Sequence, residues 1–403
     1  MVKIHSKPLD KTIEIERVIG EIHGGQHGPT IIFTAGIHGN EPSGIFALKQ
    51  VLEQLAPKRK LVKGKIIAIS GNLKALAAGI RFSAHDLNRL WTSELMNEVN
   101  NGTLSQTNED IDELVEIHNV IKEVMTKYPG PYYFMDLHTT SSESIPFLTV
   151  NDSSLNRDFV NQYPLPIIFG IEEFIEGPIL SYINELGYVS FGFEGGQHDG
   201  LYSIDNHIAF IYTTLVYAGV LSKKTADYHH HYEMLAKSSV DSRGFYEVYD
   251  SLKIRNGEVF KMKPGFVNFQ TVKKNQTLAH LNDKKIVADK TAKIFMPLYQ
   301  PKGDDGFYMI RRIAPFFLQL SRVLRRFKLD NLLTFLPGIN WADKTKDTLL
   351  VNLRIARFFA KKFFHLLGYR SIQKDKTHLI LRNREAAART EEYLDAKWKL
   401  KST

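Results

Sequence analysis

Short apolar runs alternate with segments of helical periodicity along the first half of the chain. Between about residues 11 and 221, predicted strands and helices follow one another at residues 30–35, 45–55, 65–70, 111–127, 132–137, 188–193 and 207–221. Strands that alternate with helices are typical of an α/β domain in which helices flank a mixed, mostly parallel sheet. We therefore predict such a domain over residues 1–237.

The pattern changes near Ser238 to short strands at regular spacing. Residues 245–249, 266–269, 285–288 and 293–296 are rich in β-branched and aromatic side chains, and Pro-Gly, Asn-Gly and Asp-Gly turns lie near them. Short strands with such turns predict a small β barrel or sandwich domain, which we place at residues 238–312.

Residues 313–403 are predicted to form a helical, basic C-terminal extension. A first helix at residues 315–329 carries apolar residues at helical spacing, namely Phe316, Leu320, Val323 and Phe327. A second helix at residues 349–367 has a wide apolar face and ends at Gly368. The narrow polar stripe of this second helix consists of Arg354, Arg357, Lys361 and His365. We predict that these apolar faces pack against protein, and peripheral contact with an anionic membrane is the alternative.

The net charge of +8 is concentrated in this extension. Residues 311–403 hold 21 Lys and Arg against 8 Asp and Glu, whereas residues 1–310 hold 31 against 36. Because the basic residues of the tail alternate with large aliphatic ones, they do not form a polar surface interleaved with aromatics, and we expect no nucleic-acid partner. The oligomeric state stays open, and a homo-oligomer is compatible with the sequence.

The composition limits the chemistry that the chain can carry out. The absence of cysteine excludes disulfides, iron–sulfur clusters and thiolate zinc fingers, so a metal must be held by His and carboxylate groups. No segment approaches the ~18 uncharged apolar residues of a membrane span, and the first residues lack the apolar core of a signal peptide. We expect a cytoplasmic protein.

A Gly-rich turn after the first buried strand carries a His and a Glu, in Ala35-Gly-Ile-His38-Gly-Asn-Glu41-Pro-Ser-Gly44. Ligands of open α/β sheets bind at the carboxyl ends of strands. An imidazole and a carboxylate three residues apart can converge there on one cation, and this mixture suits zinc. His230 and Glu233 have the same spacing but no preceding apolar run, and we interpret them as part of a solvated helix face.

A second strand, in Tyr133-Phe-Met-Asp136-Leu-His138-Thr-Thr, ends in polar residues at the same predicted edge of the sheet. Asp136 and His138 should point the same way, because strand side chains alternate with a period of two. His138 is therefore a further candidate ligand, and Asp136 is placed to accept the other ring N–H. A capped strand end without a metal is the alternative.

Two further segments carry charged side chains suited to a hydrolase site. In the segment from Arg81 to Arg89, the guanidinium of Arg89 and the amide of Asn88 suit a substrate carboxylate, and Arg81 adds a second fixed cation. Glu194 ends an aromatic-rich strand, and the two glycines after it leave it open to a cleft. A carboxylate of this kind, not bound to the metal, can serve a zinc hydrolase as general base. The alternatives are loop salt bridges and a surface turn.

Taken in order, these four segments resemble the succinylglutamate desuccinylase/aspartoacylase family, which is part of the zinc carboxypeptidase superfamily. The resemblance covers residues 10–310, approximately. It implies one zinc ion per chain, held by His38, Glu41 and His138, with water completing a tetrahedral open site. It also implies a zinc carboxypeptidase-like fold, in which the β segment corresponds to a barrel-like domain that narrows access to the site.

The resemblance implies roles for the remaining candidates as well. Glu194 would act as general base and then as general acid, and Arg81 would polarise the scissile carbonyl together with zinc. Asn88 and Arg89 would hold a substrate carboxylate. The chain departs from the family at Asn184, where members specific for N-acetylaspartate carry an additional substrate-binding Arg. The tail from residue 312 onward has no counterpart in the short members of the family.

The sequence thus predicts a zinc-dependent amidohydrolase that removes an acyl group from an N-acyl amino acid or a similar small carboxylate-bearing amide. One alternative is a zinc metallocarboxypeptidase acting on peptide C-termini, since that superfamily uses the same zinc and Asn-Arg chemistry. A second is a non-catalytic, hydrolase-like protein tethered by its basic tail. The intact Glu194 argues against the second alternative.

Overall fold

The computed structural model describes residues 1–342, 344–355, 361–373 and 377–400. Within them the strands of the first 200 residues are β1 (Val2–Ser6), β2 (Lys11–Ile15), β3 (Val18–His23), β4 (Gln26–Ala35), β5 (Lys63–Ser70), β6 (Tyr132–Thr140), β7 (Phe147–Val150), β8 (Pro166–Phe169) and β9 (Val189–Gln197). The later strands are β10 (Gly244–Lys253), β11 (Phe260–Met262), β12 (Thr271–Val272), β13 (Thr277–Leu281), β14 (Lys284–Val287), β15 (Ala292–Phe295), β16 (Asp305–Arg312), β17 (Ile339–Trp341), β18 (Thr348–Asn352), β19 (Tyr369–Gln373) and β20 (His378–Asn383).

The α-helices of the described residues lie between these strands and at the C-terminal end. They are α1 (Ser43–Leu55), α2 (Leu73–Ala78), α3 (Ser93–Asn101), α4 (Glu109–Lys127), α5 (Ser154–Val160), α6 (Ile179–Glu185), α7 (Ser203–Tyr217), α8 (Tyr228–Ser238), α9 (Pro315–Arg326), α10 (Lys361–Leu366) and α11 (Lys397–Leu400).

A mixed sheet of 11 strands runs through residues 18–312, in the order β12-β15-β16-β10-β8-β7-β9-β6-β4-β5-β3. Its centre is parallel, because β4 pairs in parallel with both β5 and β6, and β6 pairs in parallel with β9. The α/β part of the prediction is therefore confirmed, as a mixed sheet with a parallel centre.

Helices cover both faces of this sheet, because the side chains of its central strands alternate between two hydrophobic cores. On β4, Ile31 and Phe33 belong to the core that also contains residues of α1, α5 and α7. Ile32 points the other way and packs with residues of α3, α4 and α6. Burial on both faces fixes the register of the central strands, since a slip of one residue would exchange the two faces.

The β segment after Ser238 is not a sheet of its own. Strands β10, β16, β15 and β12 extend the large sheet beyond β8, and β10 pairs with β8 in parallel. Only β11, β13 and β14 form a separate three-stranded sheet, although the segment does have its own hydrophobic core around Phe266, Leu278 and Phe307. The predicted strand at 266–269 is wrong, because these residues lie in a turn and loop.

The prediction of a helical C-terminal extension is wrong for much of its length. Strands β17, β18, β20 and β19 form a four-stranded antiparallel sheet with its own core. Residues 349–352, predicted as the start of the second helix, lie in β18, in which Leu349 and Val351 are buried between less buried neighbours. The end of that helix exists as α10, and Gly368 follows it with a φ of 88°. Predicted stripe residue Arg357 lies outside the described residues.

The first predicted helix of the extension exists as α9, but its predicted apolar face does not pack against the described part of the chain. Phe316, Val323 and Phe327 are exposed, whereas Ser321 on the opposite side is buried. Ser321 contacts Arg157 and the end of α10, and Arg325 contacts Asp152. No helix among the described residues is both long enough and apolar enough to cross a membrane.

Candidate metal centre and active site

The loop between β4 and α1 brings His38 and Glu41 together beneath the surface. Their exposed fractions are 4% and 2%, and the backbone N–H of Glu41 donates to the carbonyl of His38 at 3.1 Å. Gly36 has a φ of 75°, a conformation that favours glycine. A Cβ at Gly39 would lie 2.0 Å from the backbone carbon of Ala75, so only glycine fits there.

His138 reaches the same point from β6, the parallel neighbour of β4. Ligand-type atoms of His38, Glu41 and His138 all lie within 4.8 Å of one another. The Nδ1 atoms of His38 and His138 lie 2.8 Å and 3.1 Å from the two carboxylate oxygens of Glu41. The three residues predicted as metal ligands therefore converge on one buried point.

The other nitrogen of each imidazole is held by a carboxylate. His38 Nε2 lies 3.1 Å from Asp86 Oδ1, and His138 Nε2 lies 2.6 Å from Asp136 Oδ2. The hydroxyl of Thr34 donates to the second oxygen of Asp136 at 2.6 Å. Each ring donates its Nε2–H to a carboxylate, so its Nδ1 atom carries no hydrogen and is free to bind a metal. This arrangement is typical of His ligands.

The charges in this cluster fit a cation. Burial opposes ionisation of Glu41, but His38 and His138 outweigh it and hold the pKa of Glu41 well below its usual value. Burial would also lower the pKa of His138, yet Asp136 and Glu41 raise it well above the usual value. The carboxylates thus stabilise positive charge on the imidazoles, and a bound divalent ion would supply that positive charge instead. Two imidazole nitrogens and a carboxylate oxygen form a donor set that fits zinc.

Glu194 lies beside this cluster on β9, where it is the register partner of His138. It is 6% exposed, and its Oε2 has no hydrogen-bond partner among the described residues. Burial raises the pKa of Glu194 to about 8; the charge of His138 acts against this shift and Glu41 adds to it. A buried carboxyl with a free oxygen and a raised pKa is suited to proton transfer.

Arg81, Asn88 and Arg89 line the same cavity as the three ligand candidates and Glu194, and its volume is about 130 Å³. Arg81 Nη2 lies 3.1 Å from Asp86 Oδ2 and Arg81 Nη1 lies 3.5 Å from Glu41 Oε1. Seven of the eight predicted site residues therefore border one cavity, and the eighth, Asp136, supports His138 from outside it. Residues 296–308 form one wall of it through Met296, Leu298, Gln300, Gly303, Asp304, Asp305 and Tyr308.

Two acids of this cavity that form ion pairs with basic side chains were not singled out from the sequence. Asp305 on β16 pairs with Arg89 at 3.2 Å and with Lys253 at 2.8 Å. Glu172, 1% exposed, follows β8 and pairs with Arg384 of the C-terminal extension at 2.9 Å. Neither has a local sequence signal, because Arg89 is far from Asp305 in the chain and Glu172 is far from Arg384. Asp86 had a signal, since it lies between Arg81 and Asn88 in the predicted segment from Arg81 to Arg89.

Three other residues discussed in the sequence analysis lie outside the cavity wall. The amide of Asn184 donates to Leu180 O at 2.8 Å and to Ser190 Oγ at 2.7 Å. This side chain is committed to backbone and hydroxyl partners and does not border the cavity. His230 and Glu233 lie on α8, and they do not form a metal-type group with a third ligand among the described residues.

Comparison with known proteins identifies the part of the chain that carries this site. Residues 27–204 match the family model of the succinylglutamate desuccinylase/aspartoacylase catalytic domain. Succinylglutamate desuccinylase from Photorhabdus laumondii is 38% identical over 68 residues, which is 17% of this chain and 21% of that protein. The enzyme of that name from Serratia proteamaculans is 25% identical over 114 residues, 28% of this chain and 33% of that protein. The matches thus span a third or less of these relatives.

Solved structures share the fold over a longer part of the chain. A succinylglutamate desuccinylase/aspartoacylase from Rhodobacter sphaeroides aligns with a TM-score of 0.54 and 16% identity, covering 77% of this chain and 94% of that one. The product-bound ectoine utilization protein EutE (DoeB) from Ruegeria pomeroyi aligns with a TM-score of 0.52 and 18% identity, covering 76% and 93%. Identities this low show likeness of fold alone. Residues 27–204 of the chain are thus similar to the catalytic domain of the succinylglutamate desuccinylase/aspartoacylase family.

Proposed function

We propose that the chain is a zinc-dependent amidohydrolase that removes an acyl group from an N-acyl amino acid or a similar small carboxylate-bearing amide. The observation that carries the proposal is the convergence of His38, Glu41 and His138 beside Glu194, a buried carboxyl outside the ligand set. Relatives named for the desuccinylation of succinylglutamate support a small acylated amino acid as the substrate class.

Glu194 and Arg81 are proposed to have separate roles in the reaction. When bound, zinc supplies Lewis-acid chemistry, since it lowers the pKa of water to about 7 and polarises a carbonyl. Glu194 takes the proton of the attacking water and delivers it to the nitrogen of the leaving amine. Arg81, held in place by Asp86, stabilises the negative charge that develops on the scissile carbonyl oxygen.

Asn88 and Arg89 are proposed to hold the substrate carboxylate, and Asp305 modifies this role. The guanidinium of Arg89 already pairs with Asp305, so a substrate carboxylate has to share Arg89 with Asp305 or replace it. The side-chain oxygen of Asn88 accepts the backbone N–H of Ile179 at 3.1 Å, which directs its amide N–H groups elsewhere. The preference for a substrate with a free carboxylate would therefore depend on how strongly Asp305 competes with the substrate for Arg89.

We predict that amidated or esterified substrates are poor compared with the free acids. Loss of one partner of a charge-assisted hydrogen bond typically costs about 2 kcal/mol or more, and the loss should appear in kcat/KM. Arg89→Met should abolish the preference for free-acid over amidated substrates. Asp305→Asn should strengthen this preference, because Arg89 would no longer be paired with a carboxylate of the protein. Equal hydrolysis of free-acid and amidated substrates by the wild type would contradict the carboxylate role of Arg89.

We also predict one tightly bound zinc ion per chain. His38→Ala and His138→Ala should lose it, because each removes one of three ligands. His198→Ala is the matched control, since His198 lines the same cavity but is not in the three-residue group. Elemental analysis of the purified proteins measures the outcome, and retention of metal in both ligand variants would contradict the assignment.

A substrate panel tests the proposed function against its alternatives. Protein of known metal content is assayed on N-acyl amino acids with different acyl groups and on short peptides. The proposal expects release of free amino acid from one or more N-acyl amino acids and little cleavage of peptides. Cleavage of C-terminal residues from peptides would favour a carboxypeptidase instead, and inactivity of the zinc-loaded protein on every substrate would favour the non-catalytic alternative.

A further inference from the structure

The outward side of α9 carries an apolar stripe that nothing in the described structure covers. The stripe consists of Phe316, Leu320, Val323 and Phe327, spaced at intervals of three and four residues, which places them on one side of the helix. Phe316, Val323 and Phe327 are 65%, 49% and 67% exposed. We call these four residues the α9 stripe.

Apolar side chains next to the α9 stripe extend the exposed surface. Phe317 belongs to the same helix, and Leu332 and Phe335 follow in the next helical turns; all three are exposed. Among the residues whose burial is described, every exposed phenylalanine lies between residues 316 and 335. Large exposed side chains concentrated in this way are typical of a contact surface, whereas single ones are normal on any protein.

The α9 stripe cannot be buried by rotation of the helix, because the opposite side of α9 is fixed. Ser321 Oγ donates to the carbonyl of Leu366 at 2.6 Å. The guanidinium of Arg325, 3% exposed, pairs with Asp152 at 2.9 Å and with Glu385 at 2.8 Å. Turning the stripe inward would break these contacts and leave Asp152 and Glu385 without this partner. The stripe is therefore a stable outer surface of the folded chain.

Cations border the α9 stripe. Arg322 and Arg326, one helical turn apart, are exposed on one flank of the stripe, and Lys328 is exposed just beyond the helix. In the sequence from residue 313 to residue 342, Asp330 is the only acidic residue. Arg and Lys can keep their charged ends in water while their stems lie along an apolar surface.

We propose that the α9 stripe and its flanking cations dock this protein on the surface of an anionic lipid membrane. Large apolar side chains on one side of a helix, with Arg and Lys beside them, can enter the headgroup region while the cations meet lipid phosphates. A second copy of the chain fits less well, because a symmetric contact would bring the same cations together. Nucleic acid also fits less well, because phenylalanine and aliphatic residues dominate the surface.

The test is co-sedimentation of the full chain with vesicles of phosphatidylcholine alone and of phosphatidylcholine mixed with phosphatidylglycerol. The wild type should bind the anionic vesicles, and its binding should weaken as salt is raised. Phe316→Ser with Phe327→Ser, and separately Arg322→Gln with Arg326→Gln, should lower the partition coefficient on the order of tenfold or more. Val240→Ser with Val259→Ser is the matched control, since both valines are about as exposed but lie elsewhere.

Thermal unfolding of each variant establishes that it is folded before its binding is compared. Failure of the folded wild type to bind anionic vesicles would overturn the proposal. It would also be overturned by a homodimer that the phenylalanine substitutions dissociate in sedimentation velocity, because a second copy of the chain would then cover the α9 stripe. None of these results depends on hydrolase activity, so the proposed function is tested separately.

Discussion

Glu194→Gln is expected to retain the fold and the metal and to lose about 10² to 10⁴ in kcat, the usual contribution of a general base. The amide has nearly the same shape as the carboxyl but cannot take a proton from water. Glu194 Oε2 has no hydrogen-bond partner among the described residues, so the substitution breaks no contact at that oxygen. Metal content should stay at the wild-type level, because Glu194 is not in the group of three ligands.

Steady-state kinetics and metal analysis on the same preparation measure this outcome. Glu233→Gln is the control, because it makes the same chemical change at an exposed position on α8. Turnover close to the wild-type rate in Glu194→Gln would remove Glu194 from the mechanism. Loss of metal from that variant would instead show that Glu194 is a ligand.

Arg325→Met is expected to lower the free energy of unfolding by about 3–5 kcal/mol, the usual cost of removing one partner of a buried ion pair. The loss should weaken the packing of α9 and the C-terminal sheet on the rest of the chain. Arg325 is 3% exposed and pairs with both Asp152 and Glu385, which come from different parts of the chain. Methionine fills much of the volume but leaves Glu385 and part of the Asp152 charge uncompensated. Urea unfolding measures the loss, and limited proteolysis should show earlier cleavage after residue 312.

Arg322→Met is the matched control for Arg325, since it makes the same change one turn away on the same helix. Arg322 is 59% exposed and lies 3.5 Å from Asp158, so its loss should cost about 0–1 kcal/mol. Equal destabilisation by the two substitutions would show that the Arg325 contacts do not hold the extension in place.

The same ion pairs predict how stability depends on pH. Burial opposes ionisation of Asp152, but Arg157 and Arg325 outweigh it and lower its pKa in the folded protein. A carboxyl with a lowered folded pKa stabilises the protein at pH values above its unfolded pKa, and this stability is lost as the pH falls. The advantage of the wild type over Arg325→Met should therefore be largest near neutral pH and shrink as the pH drops below the ordinary aspartate value of 3.8.

The sequence predicted the residues of the metal cluster because their positions follow from local rules. His38, Glu41 and His138 stand where apolar strands end, and parallel neighbours end at the same edge of a sheet. Asp136 was predicted beside His138 from the two-residue period of a strand, and the two side chains are 2.6 Å apart. The pairing of Asp305 with Arg89 could not be predicted, because it depends on how β16 joins the sheet far along the chain.

The structure of the C-terminal extension was predicted less well, because its hydrophobic pattern is compatible with both helices and strands. The run Leu349-Leu-Val-Asn-Leu contains apolar residues at both helical and strand spacing, and periodicity alone does not distinguish the two in short runs. Pairing with β20, which lies directly beside β18 in the sheet but comes later in the sequence, at residues 378–383, decides for a strand. For α9 the helix itself was predicted correctly, but its buried side is set by Arg325 and Ser321, polar residues that a hydrophobic pattern does not detect.

The most direct test of the central claim is a zinc titration of metal-depleted protein, followed by hydrolysis of the best N-acyl amino acid from the panel. We predict no turnover without metal and a rate that rises until one zinc ion per chain is bound. Glu194→Gln should take up the same amount of zinc without regaining this rate. Hydrolysis that is unchanged by complete removal of the metal would contradict the account.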